Sequence, residues 1–160
     1  IAMTAVSTAL CQAVGPRFGR ALARDPREFR AQLTRLLAGS ILFGALGVVA
    51  AAFVGRPLLT LVYGHDYAGL GGALAWMMVA GAALHVRGLF GTALTAMRSL
   101  RIQAAISALT LAVAVATAIF AIPEHGLTGA VAATVSAAVA SAAAAGLVVL
   151  LQLRRMQVER

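Results

Sequence analysis

Few residues in this chain are equipped for chemistry. Thirteen Arg, five acidic residues, three His and one Cys stand among 160 residues, and there is no Lys. Arg87 is the most informative of them. It lies in "HVRGLFGTALTAM", so far ahead of Arg98 that about 16 Å of helix separates them at about 1.5 Å per residue. At that depth in hydrocarbon a charge costs at least about 2.5 to 3.5 kcal/mol on insertion scales, so it must face a cavity, a partner or, by snorkelling, an interface. In a cavity its guanidinium would hold a pyrophosphate through paired N–H donors. Against a neighbouring helix it would serve a structural role, snorkelling or ion-paired. His85, two positions away, points off a different face of the same helix. It is either an interhelical hydrogen-bonder or a proton-coupling group.

A second concentration of polar groups lies in "GRPLLTLVYGHDYAGLG", from Gly55 to Gly71, which holds Arg56, His65, Asp66, Tyr63 and Tyr67. Here the chain must leave one helix and start another where water is available, so polar residues and Gly sit without penalty. Asp66, just ahead of an apolar helix, is expected to act as its N-cap. An ion pair of Arg56 with Asp66 would instead gate the outer side. Arg17 and Arg20, three apart on one helix face, would meet lipid phosphates or act as simple topology charges. No paired carboxylates, no metal-spaced His/Cys cluster and no Gly-rich phosphate loop after a strand are present. No catalytic residue, metal ligand or cofactor is therefore assigned, and an enzyme is not expected.

The elements that carry these groups are membrane spans. Hydrophobic residues make up 61% of the chain and charged ones 11%, with a mean hydropathy of +0.92; an ordinary soluble domain carries about 25% charged residues. A chain this short must still present most of its surface to its solvent, and that solvent is lipid. Charge-free runs at Leu36–Gly55, Tyr67–Val86, Ile102–Pro123 and His125–Leu153 reach the roughly 20 residues that cross about 30 Å of hydrocarbon. Ile1–Pro16 is a fifth apolar run, without a basic leader or cleavage pattern, and reads as a helix cut short in a fragment and not as a signal peptide. The expected fold is an all-α polytopic membrane bundle, with spans near 1–22, 35–61, 68–97, 102–122 and 127–152, a basic loop or short helix at 23–34 and a tail at 153–160. Cys11, alone in its apolar run, indicates neither a disulfide nor a metal site.

The net charge of +8 does not form one continuous patch, which argues against nucleic acid. Arg17, Arg20, Arg24, Arg27, Arg30 and Arg35 fall between the first two spans, Arg98 and Arg101 between the third and fourth, and Arg154, Arg155 and Arg160 after the fifth. The positive-inside rule puts these connections and the C-terminus in the cytoplasm. The remaining connections hold Arg56 balanced by Asp66, and Glu124 with His125. In "ARDPREF", Asp25 is placed as an N-cap with Pro26 at the first helical position and Glu28 three residues on, so a helix starting there can run into the second span. Gly55, Pro57 and Gly64 are expected to interrupt or end that span, and Pro123 with Gly126 to break the chain between the last two. In the final span, Gly129, Ala133, Ala137, Ser141 and Ala145 form a ridge of small residues at spacing four. Ala130, Thr134, Ala138, Ala142 and Gly146 form the next, and Val131, Val135, Val139 and Leu147 a bulkier one. Small ridges let helices approach closely, so this helix is built to be covered on most sides. Trp76, Met77 and Met78 read as packing residues.

Two stretches carry a family resemblance. "PLLTLVYGHDYAGLGGALAWMMVAGA" resembles the segment of polysaccharide flippases in which a Leu-rich span ends in an aromatic-Gly pair, an acidic residue, Tyr and Ala before a new apolar helix. "AIPEHGLTGAVAATVSA" is similar to the same family's entry into a late helix. These are the lipid-linked oligosaccharide (O-antigen) flippases of the multidrug/oligosaccharidyl-lipid/polysaccharide exporter superfamily. The resemblance covers nearly the whole chain and corresponds to the family's C-terminal portion; Asp66 stands where Glu is frequent. It implies the second bundle of a two-bundle transporter in the bacterial inner membrane, with an N-terminal half beyond this sequence. It also implies that an undecaprenyl-pyrophosphate-linked oligosaccharide is carried to the outer leaflet by alternating access, in company with a glycan polymerase or glycosyltransferases. A cation-coupled drug exporter of the same superfamily would use membrane carboxylates, and none of the five acidic residues lies in the middle of a span. A non-transporting scaffold of a glycan-assembly complex is the third reading. Reporter fusions at Arg24 and at Arg98 are expected to report the same face of the membrane; opposite faces would undo the topology.

Overall fold

The computed structural model describes Phe18 and residues 25–158. Within them the chain is helical throughout, with no strand among the described residues: α1 at Pro26–Tyr63, a 3-10 segment at His65–Leu70, α2 at Gly71–Ala96 and α3 at Leu100–Val158. All three α-helices are long and apolar enough to cross a membrane. The first expected span, near 1–22, lies outside the described residues apart from Phe18.

Helix α1 starts where its sequence specifies. Asp25 is extended (φ −153, ψ 123) and its Oδ1 accepts the Arg27 backbone N–H at 2.9 Å, while Pro26 opens the helix. Glu28 does not reach back to close a capping box; it accepts from Gln32 Nε2 at 3.2 Å. The expected interruption at Gly55 and Pro57 is absent. The helix passes both and ends at Gly64 (φ 94), whose N–H bonds to the Thr60 carbonyl at 3.1 Å. Pro57 removes one ladder bond, which costs less than opening a run of backbone groups to hydrocarbon.

The second correction concerns Asp66. It sits in the first turn of the 3-10 segment, and Leu70, with no side-chain cap, precedes α2 instead. Asp66 therefore does not cap α2: the extra 3-10 turn places it too far from the free N–H groups. Helix α2 ends at Met97 in a Schellman turn. Ser99 N–H reaches the Leu94 carbonyl at 2.9 Å and Arg98 N–H the Thr95 carbonyl at 3.0 Å, with Arg98 itself left-handed at φ 56. Helix α3 begins immediately after, at Leu100.

Helix α3 is not one rod. Gly126 has φ 54 and ψ −122, and the chain doubles back there. Ser136 Oγ lies 3.4 Å from Thr117 Oγ1, and Gln152 Nε2 is 2.8 Å from Ser99 Oγ. In a straight helix rising about 1.5 Å per residue the latter pair would stand roughly 80 Å apart. The expected break between Pro123 and Gly126 is thus present, and both arms exceed the roughly 20 residues of a crossing. Gly129 makes the return possible, since a Cβ there would run into the Ala121 carbonyl.

Small residues set the packing. On α1, the positions turned inward are Phe29, Leu33 and Leu36, then Ser40, Gly44 and Gly47, then Ala51 and Gly55, all buried or half-buried. The triplet recurs after 11 residues, and its first two positions recur after 11 more, or about 3.67 per turn, a period that favours right-handed crossing. Helix α2 runs antiparallel to this face: a Cβ on Gly44 would lie 2.7 Å from Ala82 Cβ, and one on Gly55 would lie 3.2 Å from Leu74. On the second arm of α3 the ridge from Gly129 through Ala133, Ala137, Ser141 and Ala145 is buried, and it continues through Val149 and Leu153. The next ridge is covered at Ala138 and at Gly146, where a Cβ would meet the Phe90 ring at 3.1 Å, but Thr134 is exposed. Val139 and Leu147 also face outward, so one side of this arm is covered, fewer than expected.

At the Arg98 end, Phe29, Leu33, Leu94, Ile106, Val149 and Leu153 close a core into which Phe18 inserts, its ring 5.3 Å from that of Phe29 in an edge contact. Outside it the surface is apolar: Phe53 is 81% exposed and Leu61 85%. An apolar surface so extensive fits a lipid environment. Helix α2 packs on both α1 and α3, which barely touch each other. Gly44→Ala is expected to cost about 1–3 kcal/mol by overpacking, and Ala82→Gly to recover most of it; a double-mutant cycle on thermal unfolding in detergent checks both.

Candidate functional site

The turn at Met97 and Arg98 folds α2 and the first arm of α3 into a hairpin, and its polar residues pair in mirror order. Arg87 Nη2 donates to Ser107 Oγ at 3.1 Å. One turn nearer the end, Gln103 Nε2 donates to the Gly91 carbonyl at 3.0 Å and to Thr95 Oγ1 at 2.9 Å. At the base, Gln152 of the second arm donates to Ser99 Oγ. Residues 87, 91, 95, 99, 103 and 107 recur every four positions, which holds one face of a helix on each side of the turn. The result is a polar seam running from the Arg98 end to the level of Arg87.

Arg87 is half-buried. Its guanidinium carries five N–H donors, and among the described residues it makes the one bond to Ser107. Beside it lies a cleft of about 30 Å³ lined by Arg87, Gly91, Leu94, Gln103, Ile106 and Ala145. That space suits a water molecule or a terminal group, not a sugar. The interhelical partner of Arg87 is a hydroxyl, not a carboxylate. His85 is turned away from this seam, as the spacing of two requires. It is buried, with its ring 6.1 Å from that of Phe43 on α1.

The groups at the other end of the bundle sit differently. Arg56, Pro57, Thr60, Leu61 and His65 line an open cleft of about 620 Å³. Arg56 packs its Cβ side close to Gly71, where a Cβ would lie 3.3 Å away. Arg56 and Asp66 form no ion pair; among the described residues the acidic partner found in one is Glu124, 3.9 Å from His125. Tyr63 and Tyr67 lie with ring centroids 5.7 Å apart and the rings tilted, both exposed. Trp76 and Met77, expected to pack, are exposed as well, while Met78 packs near Gly47. Arg17 and Arg20 lie outside the described residues. Among the described residues no three His, Cys, Asp or Glu gather to hold a metal ion.

Sequence reasoning singled out Arg87 but missed Gln103, Ser107, Thr95, Ser99 and Gln152. The available signal was the mirrored spacing about Met97, which has meaning only once the turn is known to be tight. Comparison with protein-family models, curated proteins and solved structures matches the chain to none of them. Since Arg56 and Asp66 share no bond, Arg56→Ala and Asp66→Ala are expected to be additive in stability within about 0.5 kcal/mol, measured as a double-mutant cycle on thermal unfolding.

Proposed function

We propose that this chain belongs to a transporter that moves a lipid-linked oligosaccharide across the bacterial inner membrane, with Arg87 holding the pyrophosphate. The observation that carries the reading is the state of Arg87: a permanent charge at membrane depth, half-buried, with one N–H satisfied by Ser107. A guanidinium with spare donors is suited to phosphate oxygens, which it engages in bidentate fashion. The absence of any carboxylate from α2 and from the middle of either arm of α3 favours this over cation-coupled drug export, which would be expected to use membrane carboxylates.

In this reading the chain contributes five spans, the two arms of α3 counting separately and the run at 1–22 completing the set. It forms the second of two bundles that rock about a shared cavity. The arginines at Arg98, Arg101, Arg154 and Arg155 face the cytoplasm. The cargo enters there, and the Arg56 end opens to the outer leaflet. Arg56 and Asp66, unpaired here, would close that end when brought together, and His85, buried on α2, is the candidate for proton coupling. Arg17 and Arg20 would greet the lipid phosphates at entry.

In the full-length protein in its host, Arg87→Ala is expected to lower surface glycan by about tenfold or more, the weight of one charge-assisted bond of about 1.5–3 kcal/mol. Arg87→Lys should recover part of it, since Lys keeps the charge but loses the fork. Unchanged glycan with normal protein level in both variants would remove Arg87 from the mechanism, and with it this reading.

A further inference from the structure

We propose that the seam between α2 and the first arm of α3 is a water-filled inlet, open on the side of the membrane that carries Arg98 and Arg101, and that it admits small anions in preference to cations. The inference needs only that these helices cross a membrane and is independent of what the transporter carries.

Four observations carry it. Among the described residues Arg87 has one protein bond for five N–H donors; in hydrocarbon the rest would be bare, and in a hydrated seam they are not. Gln103 uses its amide nitrogen on the Gly91 carbonyl and Thr95 Oγ1, which leaves its Oε1 with no protein donor among the described residues. Gln152 Oε1, at the base of the seam, is buried without a partner among the described residues. An open acceptor in a dry interior is costly, so the buried Gln152 Oε1 calls for water, and Gln103 Oε1 finds it in the same hydrated seam. The fourth observation is space: the cleft of about 30 Å³ between Arg87 and Gln103 takes a water molecule with polar groups on two sides.

The seam's outer edge fits the same conclusion. Thr95 and Ser107 are exposed, and polar side chains at membrane depth face a protein interior or a wet cavity, not acyl chains. Their neighbours Leu109 and Leu111 are exposed and apolar and suit lipid. The sign of the inlet follows from its charges. Arg87 lies at its inner end and Arg98 at the turn that forms its mouth, and no carboxylate occurs anywhere on residues 71–122. A low-dielectric groove lined by one sign of charge concentrates the opposite ion.

Cysteine accessibility tests this directly in the full-length protein with Cys11→Ser. Single variants Thr95→Cys, Ser107→Cys, Leu109→Cys and Leu111→Cys are treated with membrane-impermeant methanethiosulfonates, one anionic and one cationic, in intact cells and inside-out vesicles. Arg98→Cys defines the side. Thr95→Cys and Ser107→Cys are expected to react from the side that labels Arg98→Cys. They should outpace Leu109→Cys and Leu111→Cys by on the order of fiftyfold, the exclusion a charged group meets in hydrocarbon. With each reagent normalised to its rate with a free thiol, the anionic one should be favoured by about tenfold. Equal rates at Ser107→Cys and Leu109→Cys, labelling from the opposite side, or a preference for the cationic reagent would each overturn the proposal.

Discussion

The two-residue turn at Met97 and Arg98 decides which side chains of α2 and α3 meet. A Schellman turn allows no slack, so residue pairs equidistant from it face one another: Gly91 with Gln103 and Arg87 with Ser107. It holds although its left-handed position is filled by Arg98 and not by Gly, a choice that strains the backbone. Arg in that place keeps a positive charge at the helix end, where the dipole is negative. A longer loop would free the register, and the polar groups of the two helices would be left to find partners singly.

Around that hairpin the packing is achieved without a hydrophobic drive. Lipid tails are as apolar as the side chains they touch, so helices gain by approaching closely. Gly44 against Ala82, Gly146 against Phe90 and Gly129 against Ala121 are the closest approaches, and each joins a different pair of helical surfaces. The buried ridge from Gly129 to Leu153 grades from Gly and Ala at the Gly126 turn to Val and Leu near the arginines. The two arms of α3 can therefore be tight at their turn, while the other end splays enough to hold the core around Phe29 and Leu94.

Much of this was legible in the sequence. Charge-free run lengths marked the three helices long and apolar enough to cross a membrane, Asp25–Pro26 marked the start of α1, and spacing four marked the buried ridge of the last arm. These succeed because they depend on one helix and its solvent. The failures share a cause. Pro57 looked like a helix end and is interior, because in lipid continuing the ladder outweighs one missing bond. Asp66 looked like a cap for α2, and an unforeseen 3-10 turn separated it. Trp76 looked like packing and faces outward, because which side of α2 is covered depends on where α1 and α3 lie. The seam partners of Arg87 were invisible for the same reason, since spacing reports the faces of one helix and not its neighbour.

The choice of Arg over Lys at position 87 belongs with the seam. A Lys at that depth, poorly solvated, would readily release its proton and become neutral, and the bilayer would tolerate it dry. A guanidinium has no such exit: it stays charged in any surroundings a protein provides. Placing Arg inside a span therefore commits the chain to polar company at that level under all conditions. Ser107 supplies one acceptor. The side chains continuing from there to Ser99 and Gln152 form a route by which the rest of the charge can be met from the membrane surface. Polar seam and half-buried charge are thus one feature, and neither is explained without the other.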